Sequence, residues 1–379
     1  MSNISSDWRE VSLGEICEFK YGKSLPASTR TPGKYAVYGS NGAVGSHRAA
    51  LTSGPTIIIG RKGSLGEVTY SEKACWPIDT TYYVDASSTQ AHLRWLSFRL
   101  AALGLTRLNR AAAVPGLNRE DAYRKRLLLP PPSEQQRLAE LLDRADELRT
   151  QRRESLSHLS DLTRSIFLDM FVTRAADAWP VTSVAKLAQS NKDAIRTGPF
   201  GSQLLHSEFV DKGIAVLGID NAVSNEFRWG ERRYITEEKY RQLARYTVHP
   251  GDVLITIMGT CGRCAVVPKD APLAINSKHL CCITLDPKRC LPDFLHAYFL
   301  THPLARRYLH RTAKGAIMSG LNMAIIKAMP VALPPVSLQQ KFVENLEVTG
   351  RTKAANRASL SQLDELFASL QDRAFRGEL

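Results

Sequence analysis

The chain lacks any apolar run long enough to cross a lipid bilayer. Its 379 residues are 44% hydrophobic, which is ordinary for a globular protein, and no apolar stretch of about eighteen residues occurs. The first residues, MSNISSDWREVSL, also lack the apolar centre of a secretion signal. The seven cysteines are an odd number without regular spacing, which favours a reducing compartment. We therefore expect a cytoplasmic protein that does not span a membrane.

The sequence also lacks the motifs of the common enzyme classes. Neither Asn-Pro-Pro-Tyr nor Asp-Pro-Pro-Tyr, the loop of methyltransferases that act on DNA amino groups, occurs in the chain. No glycine fingerprint opens a βαβ unit, and no nucleophile elbow suggests a Ser-His-Asp or Cys-His arrangement. The segment CEFKYGKS resembles a phosphate loop, but Cys17 stands where the first glycine belongs. These absences argue against an autonomous enzyme.

Four cysteines lie close together in the sequence and invite comparison with a zinc site. Cys261, Cys264, Cys281 and Cys282 fall within 22 residues, but zinc ligands usually come as two spaced pairs. The adjacent Cys281 and Cys282 would point to opposite faces of a strand. We interpret all four as ordinary buried or loop cysteines and expect no metal site.

Positive charge is in excess. Lysine and arginine total 50 against 37 aspartates and glutamates, and the isoelectric point is about 9.5. An excess of this size favours a polyanionic partner, most simply nucleic acid. Because many basic proteins bind no nucleic acid, the charge alone does not decide the function.

One long stretch of the chain occurs twice. Residues 115–171 align without a gap on residues 319–375, and Gly116 matches Gly320, an offset of 320 − 116 = 204. The same offset superposes Leu-Asn, Pro-Pro, Ser and Gln-Gln in the two copies. A match of this length indicates an internal duplication.

Each copy has the pattern of a long helix that follows a proline cluster. Ser133 and Ser337 are suited to be N-caps, with Gln136 and Gln340 at the third position of a capping box. Apolar residues then recur at steps of three and four, which is the pattern of a coiled-coil seam. The seam positions are Leu138, Leu142, Ala145, Leu156, Leu159, Ile166 and Met170 in the first copy, and Phe342, Leu346, Thr349, Leu360, Leu363, Leu370 and Ala374 in the second.

The middle of each seam is polar, with Arg149 and Arg152 in one copy and Lys353 and Asn356 in the other. A polar layer can fix register and orientation, although local exposure of the helix would explain the residues equally well. Since neither helix can bury its stripe alone, we expect the two copies to pack antiparallel, with their outer faces free for partners. The alternative is that both helices pack on other proteins.

The regions before each helix share one order of strands, glycine turns and a helix. We predict an α+β chain of two α/β globules separated by two long antiparallel coiled-coil helices, with an internal pseudo-twofold duplication. The segments are globule 1 at 1–132, the central helix at 133–172, globule 2 at 173–336 and the C-terminal helix at 337–379.

The loops Gly60–Ser64 and Gly259–Arg263 place cations where a backbone can approach closely. Lysine and arginine neutralise phosphates, and arginine can read guanine in the major groove. Any single polar residue here could instead be solvated surface, but the loops as a set favour DNA. The candidate DNA-contacting residues are Lys23, Ser40, Asn41, Arg61, Lys62, Ser64, Thr80, Thr81, Arg196, Ser202, Thr260, Arg263, Asn276, Lys278, His279 and Lys314.

These features together resemble the specificity subunit of type I restriction–modification enzymes. The resemblance covers essentially the whole chain. It rests on the segments that open at Trp8 and Trp179, the turn Gly198–Ser202, the two Gly-Leu-Asn segments and the two Leu-Pro-Pro-x-Ser-x-Gln-Gln motifs. Trp76-Pro-Ile-Asp-Thr-Thr departs from the Ile-Asn pattern frequent in such domains, and Trp229 lies in a longer insertion.

The resemblance implies a non-catalytic reader of double-stranded DNA, in which each globule recognises one half of a split site. It implies two methyltransferase subunits on the outer helix faces and motor–nuclease restriction subunits as further partners. Those partners would use S-adenosylmethionine, ATP and Mg, whereas this chain would bind no cofactor. The alternatives are the specificity protein of another phage-defence methylation system and a protein-binding scaffold of the same architecture.

Overall fold

The computed structural model describes residues 7–108, 116–173, 179–314 and 320–379, apart from the side chains of residues 313 and 314. The chain divides into two compact units. Unit 1 consists of Met1–Glu154 and Asn356–Leu379, and unit 2 consists of Ser155–Ala355. Each unit therefore contains one globule and a part of each long helix.

The globule of unit 1 is built on an antiparallel sheet whose central strand, Thr56–Gly60, is fully buried. Its run of β-branched residues suits a strand covered on both faces. In order across this sheet, the strands are Lys20–Tyr21, Thr81–Asp85, Thr56–Gly60 and Val68–Ser71. A second sheet has the strands Gly42–His47, Tyr35–Gly39 and Trp76–Pro77, the last pair being parallel. Arg9–Ser12 pairs with Arg126–Leu129.

The globule of unit 2 repeats this plan, as its sequence order predicts. Val253–Thr256 is the buried central strand of the antiparallel sheet, and a parallel pair again lies in the second sheet. In order, the first sheet has Ile195–Thr197, Leu280–Ile283, Val253–Thr256 and Cys264–Val266, and the second has Tyr234–Ile235, Ile214–Leu217, Ala274–Asn276 and Thr247–Val248. Val181–Ser183 pairs with Pro330–Ala332.

In each globule one helix ends next to a glycine or a proline. In unit 1 this helix is Leu93–Ala102, followed by the left-handed Gly104 (φ 67°) and a 3₁₀ turn at Leu105–Arg107. In unit 2 the corresponding segment forms two helices, Pro292–Thr301 and Pro303–Lys314, because Pro303 cannot continue the first. The helices are Leu13–Ile16, Leu93–Ala102, Arg119–Tyr123, Pro132–Leu168, Val184–Leu187, Glu237–Leu243, Pro292–Thr301, Pro303–Lys314, Met323–Ala328 and Val336–Arg376.

The long helices begin two residues earlier than N-caps at Ser133 and Ser337 would place them, so the predicted capping boxes are wrong. Helix Pro132–Leu168 starts at a proline, a favoured first position, and Ser133 lies inside its first turn. Gln136 donates forward to Glu140 Oε1 at 3.0 Å instead of reaching back. Helix Val336–Arg376 likewise contains Ser337.

The preceding glutamine of each pair secures the helix start. Gln135 is buried; its Oε1 accepts from His92 N at 2.8 Å and its Nε2 donates to Pro130 O at 2.8 Å. Gln339 is buried in the same way, accepting from Leu291 N at 2.8 Å and donating to Pro334 O at 2.9 Å. The two side chains are equivalent in the duplication and tie each globule's helix to a long helix.

Within unit 1 the long helices run antiparallel. Arg149 Nε donates to Asp364 Oδ1 at 2.6 Å, and Arg152 Nη1 donates to Asn356 Oδ1 at 2.6 Å, so rising residue numbers on one helix meet falling numbers on the other. Arg152 and Asn356 are duplicates of each other (356 − 152 = 204). The polar layer predicted from the sequence is therefore a set of contacts across the seam.

Unit 2 contains the corresponding antiparallel pairing. The rings of Phe167 and Phe342 lie 5.4 Å apart, and Lys353 Nζ donates to Thr163 Oγ1 at 3.3 Å. The apolar cluster around Phe167 also includes Phe294 and Tyr298 of the globule. Of the helices in the described ranges, none is both long enough and apolar enough to span a membrane.

Candidate nucleic-acid interface

In unit 1 the predicted basic loop is a tight turn between two strands of the buried sheet. Gly66 N closes it on Gly60 O at 2.8 Å. Gly63 and Gly66 have left-handed φ angles of 80° and 70°, which only glycine adopts readily. A Cβ on Gly60 would lie 1.9 Å from Ser64 O. The glycines thus allow a compact loop that carries Arg61 and Lys62 at its tip.

Several other predicted residues of unit 1 converge on this loop. Arg61 N and Lys62 N donate to Thr80 O at 2.9 and 3.1 Å. Ser40 Oγ lies 3.3 Å from the position of a Cβ on Gly63. Lys23 N donates to Pro77 O at 3.0 Å, which places Lys23 beside the strand that leads to Thr80. The Ser40 turn, the basic loop and the Thr80 turn therefore form one surface.

Arg61 is held by aromatic rings and a backbone carbonyl. Its guanidinium lies 5.2 Å from the ring centroid of Tyr21 and 5.8 Å from that of Tyr82, and Nη2 donates to Asp79 O at 2.8 Å. Burial, followed by the neighbouring Tyr21, raises the pKa of Tyr82 to about 12. The Arg119 guanidinium lies 5.7 Å from the Tyr21 ring. Stacking of this kind limits the orientations open to an arginine.

Sequence reasoning missed Tyr21 and Arg119 as members of this surface. Tyr21 is 54% exposed although it is aromatic, and an exposed ring between cations is suited to contact a nucleic acid. The sequence signal was Tyr21's place directly before Gly22. Gly22 is needed because a Cβ there would lie 2.1 Å from Ile78 O.

Unit 2 has a loop with the same backbone hydrogen bonds. Gly262 N closes on Thr256 O at 2.9 Å and Ile257 N donates to His279 O at 2.9 Å, which matches Gly66, Gly60, Arg61 and Thr80 in unit 1. Gly259 and Gly262 are left-handed, with φ angles of 70° and 78°. The loop of residues 256–262 is thus the structural equivalent of residues 60–66.

The cations of the two loops nevertheless occupy different positions. Ile257 stands at the place of Arg61 and is buried, while Met258 stands at the place of Lys62 and is 43% exposed. Arg263 corresponds to Glu67 and is exposed. The two loops share a backbone but present different chemistry.

Lys278 and His279 lie beside the unit 2 loop and line a cavity of about 620 Å³. Burial lowers the pKa of His279, and Lys278 and Arg233 lower it further, so its ring is neutral near pH 7. A Cβ on Gly198 would lie 2.0 Å from Asn276 O. The Gly198 turn therefore packs directly on the strand that leads to Lys278.

Three predicted contact residues are buried, and the structure corrects them. The Arg196 side chain is 7% exposed and pairs with Asp252 at 2.7 Å. It also donates to Thr284 Oγ1 at 2.9 Å and to Thr247 O. Thr81 is fully buried and donates to Ile78 O, and Asn276 is fully buried and donates to Leu280 O. These side chains hold strands together and are not available to DNA.

The other predicted residues remain at the surface. Their contact with DNA stays a prediction. The side chain of Lys314 lies outside the described residues, although its backbone ends helix Pro303–Lys314. The exposed candidates are Lys23, Asn41, Lys62, Ser202, Thr260, Arg263 and Lys278, and the half-buried ones are Ser40, Arg61, Ser64, Thr80 and His279.

The neighbouring cysteines of unit 2 point in different directions, as the strand pattern predicts. Cys281 belongs to the apolar cluster around Phe294, and Cys282 to the cluster around Leu254 on the other face. Cys282 Sγ donates to Asp252 Oδ2 at 3.1 Å. Burial raises the pKa of Cys281 to about 12, so its thiol stays protonated.

The sequence of this chain is similar to those of known proteins. A family model described as "Type I restriction modification DNA specificity domain" matches residues 5–158 and 214–365, more than half of the chain. The EcoBI specificity subunit of Escherichia coli, from a type I restriction enzyme, is 26% identical over 223 residues. That stretch is 58% of this chain and 45% of the relative, so the chain matches under half of the curated relative's length.

Two solved structures share the fold at low identity. The S subunit of a type I restriction–modification system from M. genitalium has a TM-score of 0.61 and 14% identity, with 98% of this chain and 97% of that one covered. A chain from a study of the assembly and conformational transition of the type I R-M system has a TM-score of 0.54 and 16% identity, with both chains fully covered. Because the family model covers more than half of its residues, the chain belongs to the type I restriction–modification DNA specificity family.

Proposed function

We propose that this chain is the DNA-reading subunit of a type I restriction–modification complex, and that each unit reads one half of a split double-stranded site. The observation that carries the proposal is the twofold match of the DNA specificity domain, once for each globule. The equivalent loops at residues 60–66 and 256–262 support it, because each is a rigid turn with exposed polar or basic side chains. Their different chemistry is what two different half-sites require.

The chain itself performs no chemistry in this proposal. It directs adenine methylation and DNA cleavage by partner subunits that use S-adenosylmethionine, ATP and Mg, and it binds none of these. Its setting is the cytoplasm, where the DNA substrate would be. Two methyltransferase subunits and motor–nuclease restriction subunits would complete the complex.

The long helices support a stoichiometry of two methyltransferase subunits. Leu162 and Leu366 are duplicates of each other (366 − 162 = 204) and are 47% and 50% exposed. Equivalent apolar positions on the two helices offer two copies of one partner the same contact.

The test is methylation in a host cell. The chain is expressed with its methyltransferase subunit, and the host DNA is sequenced for methylated adenines. The proposal predicts one split motif that disappears when this chain is omitted. A complex that assembles and binds S-adenosylmethionine but leaves the DNA unmethylated would favour a protein scaffold instead.

A further inference from the structure

Helix Pro303–Lys314 of unit 2 carries a stripe of exposed arginine side chains. Arg306, Arg307, His310 and Arg311 are exposed. They occupy positions i, i+1, i+4 and i+5, which fall on one face of an α-helix. The helix sequence, PLARRYLHRTAK, contains no acidic residue. In the described part of unit 1, the segment after helix Leu93–Ala102 forms the 3₁₀ turn Leu105–Arg107.

The arginines of the stripe are not paired with any carboxylate of the described residues. Across the residues that the structure describes, Arg306, Arg307 and Arg311 form no ion pair with a carboxylate. Arg306 Nη1 donates only to the backbone at Leu300 O, at 3.1 Å. Three charges held close together repel each other, and such a set is stabilised by an external anion. The stripe is therefore suited to a polyanion.

The opposite face of the same helix is already occupied. Ala305 is fully buried, and Tyr308 and Leu309 pack against the apolar core of unit 2. Tyr308 Oη donates to Ile325 O at 3.1 Å. A basic helix binds a lipid surface by burying its apolar face in the membrane. Since that face is buried in the protein, the stripe can act only through its charge.

The stripe also lies close to the reading loop along the chain. Leu321 follows the helix, and its Cδ1 lies 3.9 Å from the position of a Cβ on Gly262 in the loop. The helix is also tied to the segment after Leu321, because Tyr308 donates its hydrogen bond to Ile325, four residues beyond Leu321. Duplex DNA carries charges every ~3.4 Å along each strand, so a duplex at the loop would present several phosphates within reach of the stripe.

We propose that Arg306, Arg307 and Arg311 bind the phosphate backbone of the DNA beside the second half-site. This inference rests on the proposed function and deepens it. The arginines supply affinity that does not depend on sequence, and the loop of residues 256–262, with an apolar tip at Met258, supplies the reading. Unit 1 instead combines both roles in Arg61 and Lys62.

The test measures DNA affinity against salt concentration for the complex with its methyltransferase subunits. The triple variant R306Q/R307Q/R311Q is expected to lower the slope of log Kd against log salt by about 2 to 3, since each phosphate contact contributes about 0.9. The loss should be equal for a cognate and an unrelated duplex, and the methylated motif should stay unchanged. The triple lysine variant, R306K/R307K/R311K, keeps the charges and should keep the slope.

A control variant removes the same charge elsewhere on unit 2. Its three arginines are exposed, and each is paired with a carboxylate, so they are not expected to bind phosphate. They are Arg241 with Glu237, Arg245 with Asp193 and Arg289 with Asp286. The control R241Q/R245Q/R289Q should leave the slope close to that of the native chain.

Three results would overturn the inference. These are an unchanged slope in the triple glutamine variant, an equal fall in the control variant, and a fall in the triple lysine variant. If the triple glutamine variant lost a protein subunit from the complex while its DNA binding stayed unchanged, the stripe would instead be the binding site of an acidic protein. A native complex with no preference for any DNA sequence would contradict the proposed function itself. Failure of the proposed function can therefore be distinguished from failure of the phosphate-binding role of the stripe.

Discussion

At the scale of single residues, the loops at residues 60–66 and 256–262 carry different side chains on equivalent backbones. Arg61 and Lys62 of unit 1 correspond to Ile257 and Met258 of unit 2, and the exposed position is a cation in one case and a thioether in the other. A cation contributes to the salt dependence of DNA binding, whereas an apolar side chain contributes by contact with a base or its methyl group.

Lys62→Gln should therefore lower the slope of log Kd against log salt by about 0.9, because one phosphate contact is lost. Met258→Gln is the matched control at the equivalent position and should leave the slope unchanged. Both are measured by DNA titration of the assembled complex at several salt concentrations. Equal slopes for Lys62→Gln and the native chain would show that Lys62 does not contact phosphate.

His302 is expected to make the stability of unit 2 depend on pH. Its ring stacks on Tyr298 at 4.2 Å, and burial, followed by Arg307, lowers its pKa to about 4. Because the folded pKa lies below the unfolded value of ~6.5, the contribution of His302 to stability is present above pH ~6.5. It is lost as pH falls towards 4.

His302→Asn should reduce this pH dependence by about 1–2 kcal/mol, after allowance for partial exposure. Asparagine can still accept the hydrogen bond that His302 Nδ1 accepts from Leu304 N at 3.1 Å. The measurement is urea unfolding at pH 7 and pH 4.5 for both proteins. An unchanged difference between the two pH values would rule out His302 as a main contributor.

The sequence indicates which segments hold the candidate site better than which side chains are exposed. Glycine spacing and basic residues located both loops. Thr81 and Asn276 lie at strand ends, where a shift of one residue reverses the face, so their burial could not be read from the sequence. The partner of Arg196 is Asp252, 56 residues away, and a local sequence pattern cannot predict an ion pair between residues so far apart in the chain.

At the scale of elements, Gln135 and Gln339 connect the globules to the long helices. The sequence located the repeated Ser-x-Gln-Gln motif but assigned the capping role to the wrong glutamine, because a cap prediction depends on the first helical residue. Helix starts are uncertain by one or two residues, and this helix already begins at Pro132, before Ser133. The coiled-coil seam was predictable because it is a long periodic pattern.

Gln135→Ala and Gln339→Ala should each destabilise their unit by about 1–3 kcal/mol, since each leaves buried backbone groups without hydrogen bonds. Gln136→Ala is the control, because Gln136 is exposed and bonds only to Glu140. Thermal and urea unfolding of the three variants provide the comparison. A Gln136→Ala effect as large as that of Gln135→Ala would contradict this role.

The Arg152–Asn356 contact should cost more to break singly than to replace as a pair. Arg152 Nε is buried and has no hydrogen-bond partner, so an apolar layer removes an unsatisfied donor. Arg152→Leu alone should destabilise unit 1, and Arg152→Leu with Asn356→Leu should restore or exceed the native melting temperature. A double variant less stable than either single variant would show that this layer stabilises the fold.

At the scale of the whole molecule, the duplication supports the proposal that one chain reads two half-sites. Both units place an equivalent loop at the end of an equivalent buried sheet, and both secure a long helix with an equivalent glutamine. The helices retain close similarity in sequence while the loops differ. This is expected if the helices meet identical partners and the loops meet different DNA sequences.

The most direct test of this account replaces residues 179–334 with those of another member of the family. The hybrid chain is expressed with the methyltransferase subunit, and methylated adenines are mapped in the host DNA. The account predicts a split motif in which one half changes and the other half stays as in the native chain. A motif that changes in both halves, or in neither while methylation persists, would contradict separate reading by the two units.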